Sequence, residues 1–325
     1  TYLPYQPAAT FTLGNLQRTY KTIGEDSDQG TIGVKIPFTQ WSDAKGWVKV
    51  GFLADDLDRK YDQDTFSNFN IPGGPPQTPS FTGDFDELDW SDNWLFEDHP
   101  ITAGNTDVDY AAKQRIYATY VMGDLPLTKT FDVIGGVRWE NTHTKVILSP
   151  EAGATWLPEG QAQETALLPG DADVAFTSYD VLPSIGAVWR PFGFATLRTS
   201  YNETIARQTF KELTPILNQE YLGGPIFVGN PDLEISHIRN YDVRLDLEPA
   251  QGTFLSASWF KKDLQDPIEY VSRAGTFTFT TAVNYPRGEI DGWELEARQE
   301  LGTFADALAG LTVGGNITWM DGSVR

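Results

Sequence analysis

The chain has no cysteine, only two methionines and three histidines among its 325 residues. Without cysteine there is neither a disulfide framework nor a thiolate metal site. His99, His143 and His237 are far apart with no pair at ligand spacing, so neither a metal centre nor a cofactor is expected. No run of about 18 apolar residues occurs, which leaves no candidate for a transmembrane helix. No signal-type segment opens the chain, as expected for a piece of a longer protein. Positive charge is scarce as well: 24 Lys and Arg against 45 Asp and Glu give a formal charge of -21 and a pI near 4.4. A phosphate backbone requires a basic footprint, so nucleic acid is excluded as a partner. Catalytic signatures are missing too, with no Gly-x-Ser-x-Gly, phosphate-binding loop or metal-ligand helix. Carboxylate pairs such as Glu294 and Glu296 could stand at glycosidase spacing, but such pairs also line polar lumens. No catalytic residue is assigned, and the chain is not expected to be an enzyme.

What is abundant is aromatic character, 13% with ten Trp, and strict alternation. Residues 181–247 hold the clearest case. Tyr241, Val243, Leu245 and Leu247 share one face of a strand whose other face carries Asp242, Arg244 and Asp246. Ile32, Val34, Ile36 and Phe38 alternate with Gly33, Lys35 and Pro37, after a polar strand over 10–25. Val48, Val50 and Phe52 alternate with Lys49 and Gly51. Ile116, Ala118, Tyr120 and Met122 oppose Tyr117 and Thr119. Val133, Gly135, Val137 and Trp139 oppose Asp132, Arg138 and Glu140. Trp293, Leu295 and Ala297 oppose Glu294, Glu296 and Arg298, and Val313, Ile317 and Trp319 oppose Thr312, Asn316 and Thr318.

Two regularities decide between water and lipid as the solvent of the apolar face. The strands run about ten residues or more, where soluble strands average about five or six. Connections alternate short and long along the chain. No second set of strands or amphipathic helices remains to cover the apolar faces as a sandwich layer would. The pattern predicts an all-β chain, a large antiparallel transmembrane β-barrel with short periplasmic turns and long extracellular loops, of which about eleven strands are present.

The longest connection is rich in Gly and Pro at 69–79. Residues 84–109 then hold nine carboxylates and no Lys or Arg. Trp90 and Trp94 within it are candidates for stacking a sugar ring. Asp84, Asp86, Glu87, Asp89 and Asp92 do not reproduce the spacing of a calcium loop, so no metal is assigned. Arg207, with Lys211 and Glu212, is placed at the outer mouth of the lumen. It either touches ligand or pairs with a wall charge that fixes the loop base. Gly229, Asn230 and Pro231 have turn chemistry, and Asn230 is the further ligand candidate.

At 205–215 (IARQTFKELTP) and 229–234 (GNPDLE) the chain resembles TonB-dependent outer-membrane receptors. That family carries an Ala-Arg-Pro-x-Phe-x-Glu-Leu-x-Pro-like stretch, then Gly-Asn-Pro-x-Leu-x-Pro-Glu and a Tyr-Asp-x-x-Leu strand, here 241–245. Further matches are VIGGVRWENTHT (133–144), FKKDLQDPI (260–268) and GEIDGWELEA (288–297), in the family's order, with DLDRKYDQDTF (56–66) as a weaker one. Gln208 stands where the family has Pro, and Ile235 and Ser236 replace its Pro-Glu, which leaves the local turn geometry open.

The resemblance implies a plugged barrel of about 22 strands. Residues 1–325 would be a barrel fragment with no plug domain and no complete second domain. It also implies TonB-dependent active uptake of a bulky scarce nutrient (oligosaccharide, siderophore or cobalamin) across the outer membrane of a Gram-negative bacterium. The partners would be outer-membrane lipid, the TonB complex acting through a plug region, and the ligand. The acidic, Trp-rich loop favours a sugar, because an acidic mouth repels an anionic iron chelate. A secreted, soluble carbohydrate-binding or glycan-cleaving all-β domain is the alternative. Heat-modifiability of the full-length protein separates the two: a barrel migrates faster on a detergent gel before boiling than after, whereas a soluble domain migrates identically.

Overall fold

The computed structural model describes residues 17–41, 43–68, 101–103, 108–151, 153–156, 158, 165–215, 217–219, 225–274 and 278–325. In chain order these form β1 (Gln17–Thr39), β2 (Lys45–Asn68), β3 (Ile101–Ala103), β4 (Val108–Pro126), β5 (Phe131–Pro150), β6 (Thr155–Trp156), β7 (Thr165–Ala166), β8 (Val174–Phe192) and β9 (Ala195–Ala206). Then come the one-turn helix α1 (Phe210–Leu213), β10 (Leu217–Gln219), β11 (Ile226–Val228), β12 (Ser236–Leu247), β13 (Thr253–Gln265), β14 (Ile268–Ala274), β15 (Thr278–Asn284), β16 (Arg287–Glu300) and β17 (Thr312–Val324).

Ten long strands make one antiparallel sheet in the order β1-β2-β4-β5-β8-β9-β12-β13-β16-β17, with β3 added to β2. Each long strand pairs with its predecessor, the simplest way to leave few main-chain groups unpaired. The connections at one end are short (40–44, 127–130, 193–194, 248–252 and 301–311), and those at the other are long (69–107, 151–173, 207–235 and 266–286). Strand length changes abruptly along this path. β1 and β2 have 23 and 24 residues, whereas β9 and β12 have 12 each. The first half of the sheet therefore rises well beyond the second.

The distribution of polarity is inside-out. Ile32 is 68% exposed and Trp293 55%, and Val34, Val50, Trp139, Ile185, Leu245, Leu295 and Trp319 on the same surface are exposed too. Thr142, Asp180, Asn240 and Asp246, on the other surface, are buried. In water such an apolar surface would drive association; lipid is the solvent that fits it. The polar wall is laced with ion pairs: Arg244 meets Asp246 at 2.7 Å and Glu296 at 3.3 Å, Arg198 also pairs with Asp246, and Arg190 with Asp132.

Aromatic residues edge the apolar band. Trp259, Trp293 and Trp319 lie side by side in register, and Tyr201 pairs with Tyr241, their rings 5.2 Å apart. Toward the short turns, the Phe192 and Phe194 rings stack at 5.4 Å, and Trp41 donates its indole N–H to the Leu127 carbonyl at 3.1 Å. On β8 the band runs from Tyr179 to Trp189. At about 3.4 Å per residue and a tilt of about 40° this is roughly 26 Å, the height of a barrel's lipid-facing band.

Three sequence expectations are corrected. The separate strands at 10–25 and 29–38 are one strand, β1, as far as the described residues extend; its continuous register with β2 leaves no turn at Gly24 or Gly30. On β4 the lipid-facing row is Tyr117, Thr119 and Val121, not Ile116, Ala118, Tyr120 and Met122. Both rows are apolar enough for either face, and the register decides: Val121 pairs with Val50 and Val137. Tyr120 instead lies across Gly51, where an added Cβ would stand 2.5 Å from the ring, and the Lys49 ammonium is 5.5 Å from the Tyr120 centroid. Finally, the excursions over 207–235 and 266–286 contain strands, described below.

The girdle fixes membrane depth. In liposomes, phospholipids brominated near the headgroup are expected to quench full-length protein fluorescence more than those brominated deep in the chain. The difference should shrink when Trp259, Trp293 and Trp319 are replaced by Phe together.

Candidate functional site at the outer mouth

The chain leaves the top of β9 at Ala206 and turns across the polar wall, because Arg207 is captured there. Its guanidinium pairs with Glu140 and donates to Thr142 Oγ1 from Nε and Nη2 at 3.1 and 3.0 Å. Glu140 also accepts from Arg138 Nε at 2.6 Å, so two cations share one buried carboxylate. A buried carboxylate left without such partners would cost several kcal/mol, on the order of 3–5 for a broken pair.

Two residues later α1 begins with a capping box. The Thr209 hydroxyl accepts from the Glu212 N–H at 3.3 Å, and the Glu212 carboxylate accepts from the Thr209 N–H at 2.7 Å. This single turn directs Phe210 and Leu213 into the apolar core of the molecule. The core includes Tyr61 of β2, Tyr110 of β4, Val146 and Leu148 of β5, and Val174 of β8. The Arg59 guanidinium, which donates to Glu25 at 2.7 Å, lies 5.2 Å from the Phe210 ring centroid. The core thus forms where a loop from the short half of the sheet packs onto the tall half.

The GNPDLE stretch closes this unit. Gly229 passes so near α1 that an added Cβ would sit 2.1 Å from the Thr214 carbonyl oxygen, and the Asn230 N–H donates to the Glu212 carbonyl at 2.6 Å. The Asn230 side chain accepts from Asp232 N–H at 3.0 Å and donates to the Ala282 carbonyl at 3.2 Å. The second long loop is held alongside. β11 pairs in parallel with β15, and β10-β11-β15-β14 form a four-stranded sheet. Asn284 bridges both loops, accepting from Glu234 N–H at 2.8 Å and donating to the carbonyls of Glu234 at 3.0 Å and Asp266 at 2.7 Å. Tyr270 donates to Glu212 at 2.7 Å; desolvation, then that hydrogen bond and the carboxylate's charge, push its hydroxyl up to about 12. The phenol therefore remains a donor throughout the neutral range.

Of the sequence candidates, Arg207 and Asn230 come together in this unit, and both are held by protein partners. Arg207 also borders a cavity of about 470 Å³ with Arg138, Leu182, Ser184, Asn202 and Thr204. Trp90, Trp94, the acidic residues 84–100 and His99 lie outside the described residues. His143 meets the Thr177 hydroxyl at 3.0 Å and His237 meets Asp180 at 3.7 Å. Among the described residues no three metal-binding side chains gather. Strands β10, β11, β14 and β15 escaped the alternation test because each is at most seven residues long. The Thr209–Glu212 spacing was the legible signal for α1.

The family described as TonB dependent receptor-like, beta-barrel matches residues 2–325. The chain belongs to the TonB-dependent receptor family. Its members are outer-membrane receptors and transporters, not enzymes. No curated protein matches the sequence. Among solved structures, the alcaligin receptor FauA of Bordetella pertussis is similar at 13% identity and TM-score 0.53, over 94% of this chain and 40% of that one. The ferric citrate transporter FecA is similar at 11% identity and TM-score 0.55, over 95% and 37%. The pyoverdine receptor FpvA of Pseudomonas aeruginosa is similar at 14% identity and TM-score 0.55, over 94% and 37%. These likenesses show the fold. The chain spans about two fifths of the length of the solved receptors it matches.

The receptor's two-loop unit depends on the close approach at Gly229. Gly229→Ala is expected to destabilise it by about 1–3 kcal/mol. Amide exchange should accelerate across 207–236 and 266–286, while heat-modifiability of the barrel is retained.

Proposed function

We propose that this chain is barrel wall and outer mouth of a receptor that imports a bulky, scarce nutrient across the outer membrane, energised by TonB through a plug region. The observation that carries this reading is the two-loop unit folded onto a polar, ion-paired wall at the long-loop end of an inside-out sheet. A passive pore has no need to build a packed core across its mouth; a gated receptor uses one to hold its ligand-facing surface in place. The soluble glycan-active alternative is not favoured, because among the described residues no layer covers the apolar surface.

The ligand we favour is neutral or cationic, with an oligosaccharide first. A cavity of about 630 Å³ beside the loop unit is lined by Asp171, Asp173, Asp232, Glu234 and Asp266 and, among the described residues, by no Lys or Arg. Such a field repels an anionic chelate. Arg207 and Asn230 would then act by holding the mouth in shape, and Trp90 and Trp94 remain the stacking candidates. A ferric siderophore is the second reading, supported by the ligands named for FauA and FpvA.

Uptake by cells producing the full-length receptor tests both. Labelled maltooligosaccharide should accumulate only when TonB is present. Accumulation without TonB would indicate a pore, and accumulation of a ferric siderophore alone would favour the second reading.

A further inference from the structure

The sheet contains a seam. β8 pairs with β5 from Val174 to Trp189, but its pairing with β9 starts only at Ser184–Asn202. Above that point β9 turns away at Arg207, and no strand among the described residues lies against β8. The direction of the main chain there follows from two hydrogen bonds. Arg190 N–H donates to the Thr130 carbonyl at 2.7 Å, and the Ser178 carbonyl accepts from the Asn141 side chain at 3.3 Å. Even-numbered residues of β8 thus face β5, and the N–H and C=O groups of Ala175, Thr177 and Tyr179 face the seam. Pro183, which has no N–H to offer, falls on the same seam-facing set, as expected of proline on an edge.

A row of unpaired strand groups is a template for another strand. The space in front of it is formed: the 630 Å³ cavity lies between residues 171–178 of β8 and its approach on one side and residues 231–235 on the other. The His237–Asp180 contact, at 3.7 Å, bounds it toward the membrane. Among the described residues, five carboxylates line this groove, with no Lys or Arg. An independent feature points to a missing donor. Gln208 is 5% exposed and borders the same cavity; its Nε2 donates to the Leu233 carbonyl at 2.6 Å, but its Oε1 is buried without a hydrogen-bond partner. A buried acceptor left empty costs free energy that an incoming N–H would recover.

We propose that this seam binds an extended cationic peptide by strand addition to β8. The peptide main chain would pair with Ala175, Thr177 and Tyr179, and its Lys or Arg side chains would meet Asp173, Asp232 and Glu234. The Gln208 carboxamide oxygen would accept one further N–H.

The test uses the purified full-length receptor in detergent and a fluorescent peptide alternating lysine and valine. Three comparisons define it: the same peptide N-methylated at alternate residues, the Thr177→Pro receptor, and the Asp232→Asn/Glu234→Gln receptor. Thr177 N–H is outside the β5 ladder, so the proline leaves the sheet intact, and retained heat-modifiability confirms this. Each backbone change is expected to weaken binding about tenfold, and the charge change to flatten the salt dependence. Equal binding of the N-methylated peptide, or no binding of either, would overturn the proposal. So would slow amide exchange at Thr177 and Tyr179 in the peptide-free receptor, because it would show that another part of the protein already occupies the edge.

Discussion

Hydrocarbon offers no hydrogen bonds, and the architecture follows from that. Every main-chain N–H and C=O at membrane depth must find its partner in protein, so strands can cross only as members of an unbroken ladder. Pairing each long strand with its predecessor meets most of this demand; among the described residues the exceptions are the outer edges of β1 and β17 and the side of β8 above Ser184. Side chains are freed from that duty and sort by face, with apolar residues outward and charged residues onto the wall. The fold is held by the ladder across its membrane-spanning part, and by a conventional packed core only where it leaves the membrane.

That core explains the change in strand length. Beyond the lipid, β1 to β8 continue as a tall wall whose inner row turns apolar at Tyr61, Tyr110, Val146, Leu148 and Val174. The connection from β9 to β12 supplies what covers it, through Phe210, Leu213 and Leu233. Burying these side chains is worth about 1.5–3 kcal/mol each. Such a gain offsets the ordering of two long loops, which become one unit through β11–β15 pairing and Asn284. The cost of this arrangement is the seam: β9 parts from β8 above Asn202, stays with β12 to Ala206 and then turns at Arg207, and no described strand takes its place beside β8.

The motif residues acquire physical roles from the same geometry. Arg207 is conspicuous in sequence as a charge at a strand end, and its location at the mouth was legible from alternation and loop length. That its partners would be Glu140 and Thr142, about 65 residues earlier, was not, because a cross-wall contact depends on how the sheet curves and on which loop folds inward. Gly229 and Asn230 have turn chemistry in any context. Their contact with α1 and β15 appears only once both long loops are placed. For β4, periodicity failed for a definable reason: with Tyr, Val and Leu on one row and Ile, Ala, Tyr and Met on the other, only pairing with Val50 and Val137 breaks the tie.

The sequence by itself determined the fold class, the strand phases wherever one row is charged, the alternation of turn and loop ends, and the family, because each depends on residues close together in the chain. Tertiary structure alone decided that 17–25 and 29–38 share a strand, that the long loops pair, that Glu140 holds two arginines, and that no described strand pairs with β8 above Ser184. Those outcomes rest on contacts between segments far apart in sequence. Pairing register and competition among partners choose them, and local periodicity carries no record of either.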